Sequence, residues 1–197
     1  SGVGSSGASA VAAVVAVNEL LGRPLGLYVV FQAAMEGERA GCGAVHPDNV
    51  APALYGGFVL ARSVEPADIV RLPVPDGLAC AVLHPHLEVQ TGTARALLGD
   101  VVPLSAAVRQ WANLGALVSA LHTGDLALLS RSLVDHVAEP KRAVLVPGFA
   151  RVKGAALDAG ALGCSLSGSG PSIFALAPSL AAARIVGAAM AAAYAAE

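Results

Sequence analysis

Apolar residues recur along the chain with helical and strand periods, and the order of predicted elements follows from them. An Ala- and Val-rich run over residues 8–21 reads as a helix stopped by Gly22 and Pro24. A second helix over 25–40 sets Leu27, Phe31, Ala34 and Glu38 on one face, with Met35 beside them. Residues 41–52 read as a loop. Residues 53–62 read as a strand that Gly56-Gly57 allows to bend, and 68–74 as another, ended by Pro75-Asp76-Gly77. An apolar strand over 78–83 and a short helix over 93–98 come next. A long helix over 105–122 follows, with Ser105 as N-cap and Gly124 as stop. Asp125 caps a helix running to about residue 138, which Glu139-Pro140 breaks, and a helix over 147–159 closes at Gly160. Strands over 161–166 and 172–176 flank the loop Ser167-Gly168-Ser169-Gly170-Pro171, and Ser179 caps a last Ala-rich helix.

Strands and helices alternate here without a regular βαβ rhythm, and no internal repeat is visible. The pattern predicts an α+β protein in two parts, residues 1–75 and 76–197, joined near 73–77. Composition supports a globular chain: 55% of its 197 residues are hydrophobic and 13% charged, enough apolar mass for a substantial core. A net charge of −2 without a Lys/Arg cluster argues against a nucleic-acid partner. Cys42, Cys80 and Cys164 are odd in number and far apart, which disfavours a disulfide framework or zinc site and points to a reducing, cytoplasmic setting. Two charge-free stretches, 1–18 and 163–183, are too rich in Gly, Ser, Pro and Ala to read as membrane spans. No basic region precedes the first, so a signal peptide is not expected either. The chain opens inside a motif and without Met, so a fragment truncated at its N-terminus is expected.

That motif, Gly2-Val3-Gly4-Ser5-Ser6-Gly7, runs into the first helix. Free N–H groups and the positive dipole end at a helix start favour phosphate. The string matches the dinucleotide pattern G-x-G-x-x-G. However, a helix follows the first helix where that fold needs a strand, and no Lys-Ser/Thr pair completes a P-loop. A loop that only caps a helix is the plainer alternative. Glu38 stands out because its spacing turns a carboxylate toward the apolar face, where a cation would compensate its burial. A solvated boundary position is the competing account. His46, Asp48 and Asn49 read either as an Asx-type turn or as substrate-capturing donors and acceptors. Thr91, Arg95 and Arg142 lie at element ends, where a guanidinium can grip a carboxylate or phosphate, although most arginines are simply solvated. Ser167, Gly168, Ser169 and Gly170 form either an anion nest or a hairpin turn.

Taken in order, these stretches resemble the homoserine kinases, a branch of the GHMP kinase superfamily. Residues 1–9 are similar to the superfamily's phosphate loop, with Val3 where Leu is usual, and residues 167–171 to its C-terminal glycine motif. Glu36-Gly37-Glu38, His46-Pro47-Asp48-Asn49-Val50-Ala51-Pro52, Thr91-Gly92-Thr93-Ala94-Arg95 and Glu139-Pro140-Lys141-Arg142 carry the narrower resemblance. It implies a two-lobed GHMP kinase fold. The lobe over 1–75 would be a partial ATP-binding lobe with an incomplete left-handed βαβ crossover, and the lobe over 76–197 would be ferredoxin-like without its last strand. It also implies transfer of the ATP γ-phosphoryl group to L-homoserine. Gly2, Val3, Gly4, Ser5 and Ser6, with Ser167, Gly168, Ser169 and Gly170, would surround the ATP phosphates. Ser6 and Glu38 would hold Mg²⁺. His46, Asp48, Asn49, Thr91, Arg95 and Arg142 would bind homoserine, with Asp48 at the reacting hydroxyl. No membrane partner is implied, a homodimer is one option, and the fragment alone would be inactive. Another GHMP small-molecule kinase, or a nucleotide-binding relative without turnover, are the alternatives.

Overall fold

The computed structural model describes residues 2–196. Ser1, at the start of the expected phosphate loop, and Glu197, at the end of the expected second lobe, lie outside them, as does the side chain of Cys42. The chain forms two compact units: Gly4–Pro73, and Val74 onward together with Gly2 and Val3.

The first unit holds α1 (Ser5–Leu20), α2 (Leu27–Cys42), α3 (Pro47–Tyr55) and the antiparallel hairpin β1 (Phe58–Ser63) and β2 (Asp68–Leu72). Asn18 ties the turn between the first two helices. Its carboxamide accepts from Leu25 N at 3.0 Å and donates to Leu25 O at 3.2 Å. The core gathers Val11, Phe31, Ala34, Met35, Val50 and Ala51. Phe31 is fully buried and stacks obliquely on Tyr55, and burial of a ring this size contributes about 1.5–3 kcal/mol. Leu27, expected on the same face, lies at the helix start and is exposed.

The expected loop over 41–52 is in its second half a helix. Pro47 sits in the first turn, where its missing N–H costs nothing, and Asp48 beside it meets the positive dipole end. Signals that mark a turn also mark a helix start, and burial of Val50 and Ala51 decides between them. The strand expected from 53 therefore begins only at Phe58, after Gly56 and Gly57, both at positive φ.

In the second unit, β3 (Ala79–Leu83) is followed by α4 (Thr91–Ala96), α5 (Leu104–Thr123), α6 (Leu126–Ser132) and α7 (Glu139–Arg142). A 3₁₀ turn over Ala143–Leu145 leads to α8 (Phe149–Asp158), β4 (Gly163–Leu166), β5 (Ile173–Ala177) and α9 (Leu180–Ala195). The sheet order is β3-β5-β4, with β5 antiparallel to both neighbours. This is a split βαβ arrangement, the ferredoxin-like topology with three strands. Both sheets are antiparallel throughout, so the described residues do not form the left-handed βαβ crossover.

Several boundaries differ from the periodicity reading. Helix α5 starts at Leu104 behind Pro103, so Ser105 is not its cap. Helix α4 starts at Thr91 rather than at 93. The helix expected over 125–138 stops at Ser132, because the Asp135 carboxylate draws in the N–H groups of Val137, Ala138 and Glu139 and starts α7 instead. Asp125 and Ser179 do cap α6 and α9, accepting from Leu128 N at 2.9 Å and Ala182 N at 3.1 Å. Among the described residues no helix is long and apolar enough to cross a membrane.

The second core packs Phe149, Val152 and Ala156 of α8 and Val186 and Met190 of α9 onto Cys164, Ile173 and Ala175 of the sheet. Burial pushes the Cys164 thiol up to about 12, against which Lys153 pulls it down weakly. At pH 8 it should therefore resist iodoacetamide in the folded protein and react once denatured, as peptide mass spectrometry of the complete gene product will show. An unfolded thiol titrates near 9, so the folded state retains the proton longer. This group's contribution to stability should therefore fall as pH rises from about 9 toward 12.

Candidate active site

In the first unit the site is built on two helix starts in contact. Gly4 is the N-cap of α1, at φ 68°, and His46 is the N-cap of α3, and neither N-cap residue makes a side-chain capping bond. A Cβ on Gly7 would stand 3.2 Å from the Asn49 carbonyl carbon and 3.3 Å from Val50 N. A Cβ on Gly4 would stand 3.2 Å from Asn49 Oδ1. Glycine at these positions lets the two N-termini approach, and the positive dipole end of each favours an anion. Gly7 was not among the residues nominated from the sequence. The third glycine of the motif, which serves helix packing in the dinucleotide pattern, was the available signal.

Beside these starts lies Glu38, 1% exposed near the end of α2. Both of its hydrogen-bond partners use one oxygen: Ser6 Oγ donates to Oε1 at 2.9 Å, and the His46 Nδ1–H donates to the same atom at 3.0 Å. Oε2 is buried and has no partner among the described residues. A buried acceptor left so costs about 1–3 kcal/mol, more for a charged group, and a bound cation would offset that cost. A lone carboxylate with a neighbouring hydroxyl fits Mg²⁺, which takes one or two protein oxygens and fills its shell with phosphate and water. No cluster of three or more His, Cys, Asp and Glu occurs among the described residues, so the donor set does not suit a metal that demands several side chains. Asp48 is exposed in the first turn of α3, Asn49 is partly buried against Gly4, and Ser5 and Ser6 are exposed in the first turn of α1.

The second unit gathers the other nominated residues. Ser167 to Gly170 form the β4–β5 hairpin connection, closed by Ser167 N to Ser172 O at 2.8 Å and Gly170 N to Ser167 O at 2.9 Å. The main chain of Gly2 lies against it: a Cβ there would fall 2.6 Å from Gly170 O and 2.9 Å from Ser167 O. Gly2 (φ 72°) and Gly170 (φ 80°) are both in the left-handed region, so a side chain at Gly2 is excluded twice. Gly2, which belongs to this unit, thus lies against the glycine connection, while Val3 is exposed. Arg142, at the end of α7, donates from Nε to Ala94 O at 3.2 Å and from Nη1 to Gly168 O at 3.0 Å. It joins the helix carrying Thr91 and Arg95, both exposed, to the glycine connection. The expected break at Glu139-Pro140 is the first turn of α7, and Asp135, which organises that turn, was not nominated from the sequence.

One unit thus carries a Gly/Ser loop entering a helix with a buried carboxylate beside it, and the other an arginine-anchored glycine hairpin, in a chain of α+β build. The family model for the GHMP kinases N terminal domain matches residues 1–57, and that for the GHMP kinases C terminal region matches residues 117–196, together well over half of the chain. The chain belongs to the GHMP kinases. It is 56% identical over 190 residues to the homoserine kinase of Chlorobium phaeobacteroides (strain BS1), an alignment that takes in 96% of this chain and 59% of that protein. It superposes with a TM-score of 0.97 and 56% identity on the crystal structure of homoserine kinase from Cytophaga hutchinsonii, covering 100% of this chain and 62% of that one. The crystal structure of L. major mevalonate kinase in complex with R-mevalonate has the same fold, with a TM-score of 0.80 at 20% identity over 96% of this chain and 61% of that one. The chain thus spans about three-fifths of the length of the curated relatives it matches.

Proposed function

We propose that the complete gene product transfers the γ-phosphoryl group of ATP to the side-chain hydroxyl of L-homoserine, giving O-phospho-L-homoserine and ADP. The observation that carries the kinase reading is Glu38, buried with one free oxygen beside Ser6 at a phosphate-binding helix start. The choice of acceptor is supported by the names of relatives more than half identical over nearly the whole chain.

In this reading the main chain from Gly2 to Ser6 and the connection from Ser167 to Gly170 bind the ATP phosphates. Both stretches offer N–H groups and small side chains, and the starts of α1 and α3 add positive potential. Ser6 and Glu38 would hold Mg²⁺, which when bound supplies charge neutralisation on the β- and γ-phosphates. The resemblance assigns His46, Asp48 and Asn49 to homoserine, and likewise Thr91, Arg95 and Arg142. Arg142 suits a carboxylate: its Nε and one Nη1 hydrogen are spent on backbone carbonyls, which fixes the guanidinium plane, and a guanidinium has three further N–H donors for a ligand. In the transfer, the homoserine oxygen forms a bond to the γ-phosphorus as the bond to the β-phosphate oxygen breaks, and the hydroxyl proton is released. Such a loose transition state needs alignment and charge stabilisation more than a strong base, so Asp48 acts chiefly by orienting the hydroxyl. The resemblance further implies a role in threonine biosynthesis and a cytoplasmic location. A coupled ADP-release assay with homoserine and a panel of other alcohols, mevalonate included, tests the proposal. Homoserine-dependent turnover is expected, and its absence, or preference for another alcohol, would overturn the assignment.

A further inference from the structure

Helix α7 is four residues long, far below what can hold itself together, yet it presents Arg142. Its start is held by Asp135, whose carboxylate accepts from three successive N–H groups at 2.8–2.9 Å. Its body is held by Glu139. One Glu139 oxygen meets Lys153 Nζ of α8 at 2.5 Å, and the other accepts from Ser165 Oγ of β4 at 2.6 Å. The ion pair is mostly buried, with 14% of the Glu139 and 23% of the Lys153 side chain exposed, and the ammonium also sits 5.9 Å from the centre of the Phe149 ring.

The spacing of these contacts is informative. Glu139 holds Ser165, and three residues on, Arg142 holds Gly168, three residues beyond Ser165. One turn of helix therefore grips the strand and its glycine connection at two matched points. Lys153 compensates a carboxylate that would otherwise be costly at that depth.

We propose that Lys153, Glu139 and Ser165 form a brace that sets the position of Arg142, making them positioning residues for the acceptor substrate. None of the three reaches a ligand in this account; they act through Arg142. The proposal rests on the reading of Arg142 as the carboxylate clamp.

The test is steady-state kinetics on the complete gene product, well below its melting temperature, with homoserine and ATP varied separately. Ser165→Ala and Lys153→Met should each raise KM for homoserine about tenfold, the scale of one lost buried hydrogen bond, with KM for ATP changed less than about twofold. Lys153→Arg should restore most of the loss. In an Arg142→Ala background the Ser165→Ala change should add less than about twofold, because the residue it acts through is gone. Wild-type-like KM for homoserine in both brace variants, or full additivity with Arg142→Ala, would overturn the brace while leaving the kinase reading standing. Lack of homoserine turnover in the unaltered protein would instead overturn the kinase reading itself.

Discussion

Glu38→Ala in the complete gene product should lower kcat for homoserine-dependent ADP release by about 10²–10³-fold, the scale expected when a group that stabilises transferring charge is lost. The physical ground is the asymmetry of its hydrogen bonds. Ser6 and His46 both bond to Oε1, and Oε2 is buried with no partner among the described residues. A side chain kept for packing would have no reason to leave one charged oxygen unsatisfied, whereas a metal ligand must. The same asymmetry separates function from stability. The volume-conserving Glu38→Gln, which removes a charge buried at a desolvation cost without opening a cavity, should leave the melting temperature within a few degrees of wild type while activity collapses. This variant retains the shape and an acceptor for Ser6 but loses the charge, so it too should lose activity and need more Mg²⁺ for half-maximal rate. Unaltered rate and Mg²⁺ dependence in both variants would remove Glu38 from the metal site.

Arg142→Ala should raise KM for homoserine by about 30- to 1,000-fold, the range for breaking a hydrogen-bonded charge pair at about 2–4 kcal/mol. KM for ATP should move much less. Arg142→Lys should recover little, because an ammonium cannot bond two carbonyls on separate segments and still present a planar fork to a carboxylate. A stability loss of about 1–3 kcal/mol should accompany it, because Gly168 is exposed and its carbonyl can turn to water, whereas Ala94 is fully buried and its carbonyl loses a partner. Equal loss with homoserine and with an acceptor lacking the carboxylate would show that Arg142 supports the fold rather than the substrate.

Much of this site was visible in the residues alone. The Gly/Ser loop that opens α1 was legible because glycine and serine before an apolar run mark a helix start. The inward turn of Glu38 was legible because a 3.6-residue period aligns it with Phe31 and Ala34, both of which are buried with it. The caps at Asp125 and Ser179 were legible because a side-chain acceptor serves an N–H only two or three residues away. All of these are short-range arrangements, in which spacing along the chain is nearly equivalent to spacing in space.

What the sequence did not determine lies at longer range or in ambiguous signals. His46-Pro47-Asp48-Asn49 suits a turn and a helix start equally, and only burial of Val50 and Ala51 against α2 made it α3. No periodicity tells that both partners of Glu38 choose the same oxygen, or that Gly2 lies against Gly170. The coupling of Glu139 to Ser165 and Lys153, and of Arg142 to Gly168, joins residues 14 to 26 positions apart through side-chain ends and backbone carbonyls. Chain order supplied the parts: a Gly/Ser loop before a helix, an inward carboxylate, two arginines and a glycine hairpin. Tertiary packing decided which atom of each part is engaged and which is left free for a ligand, because that depends on desolvation and on neighbours that local spacing does not specify.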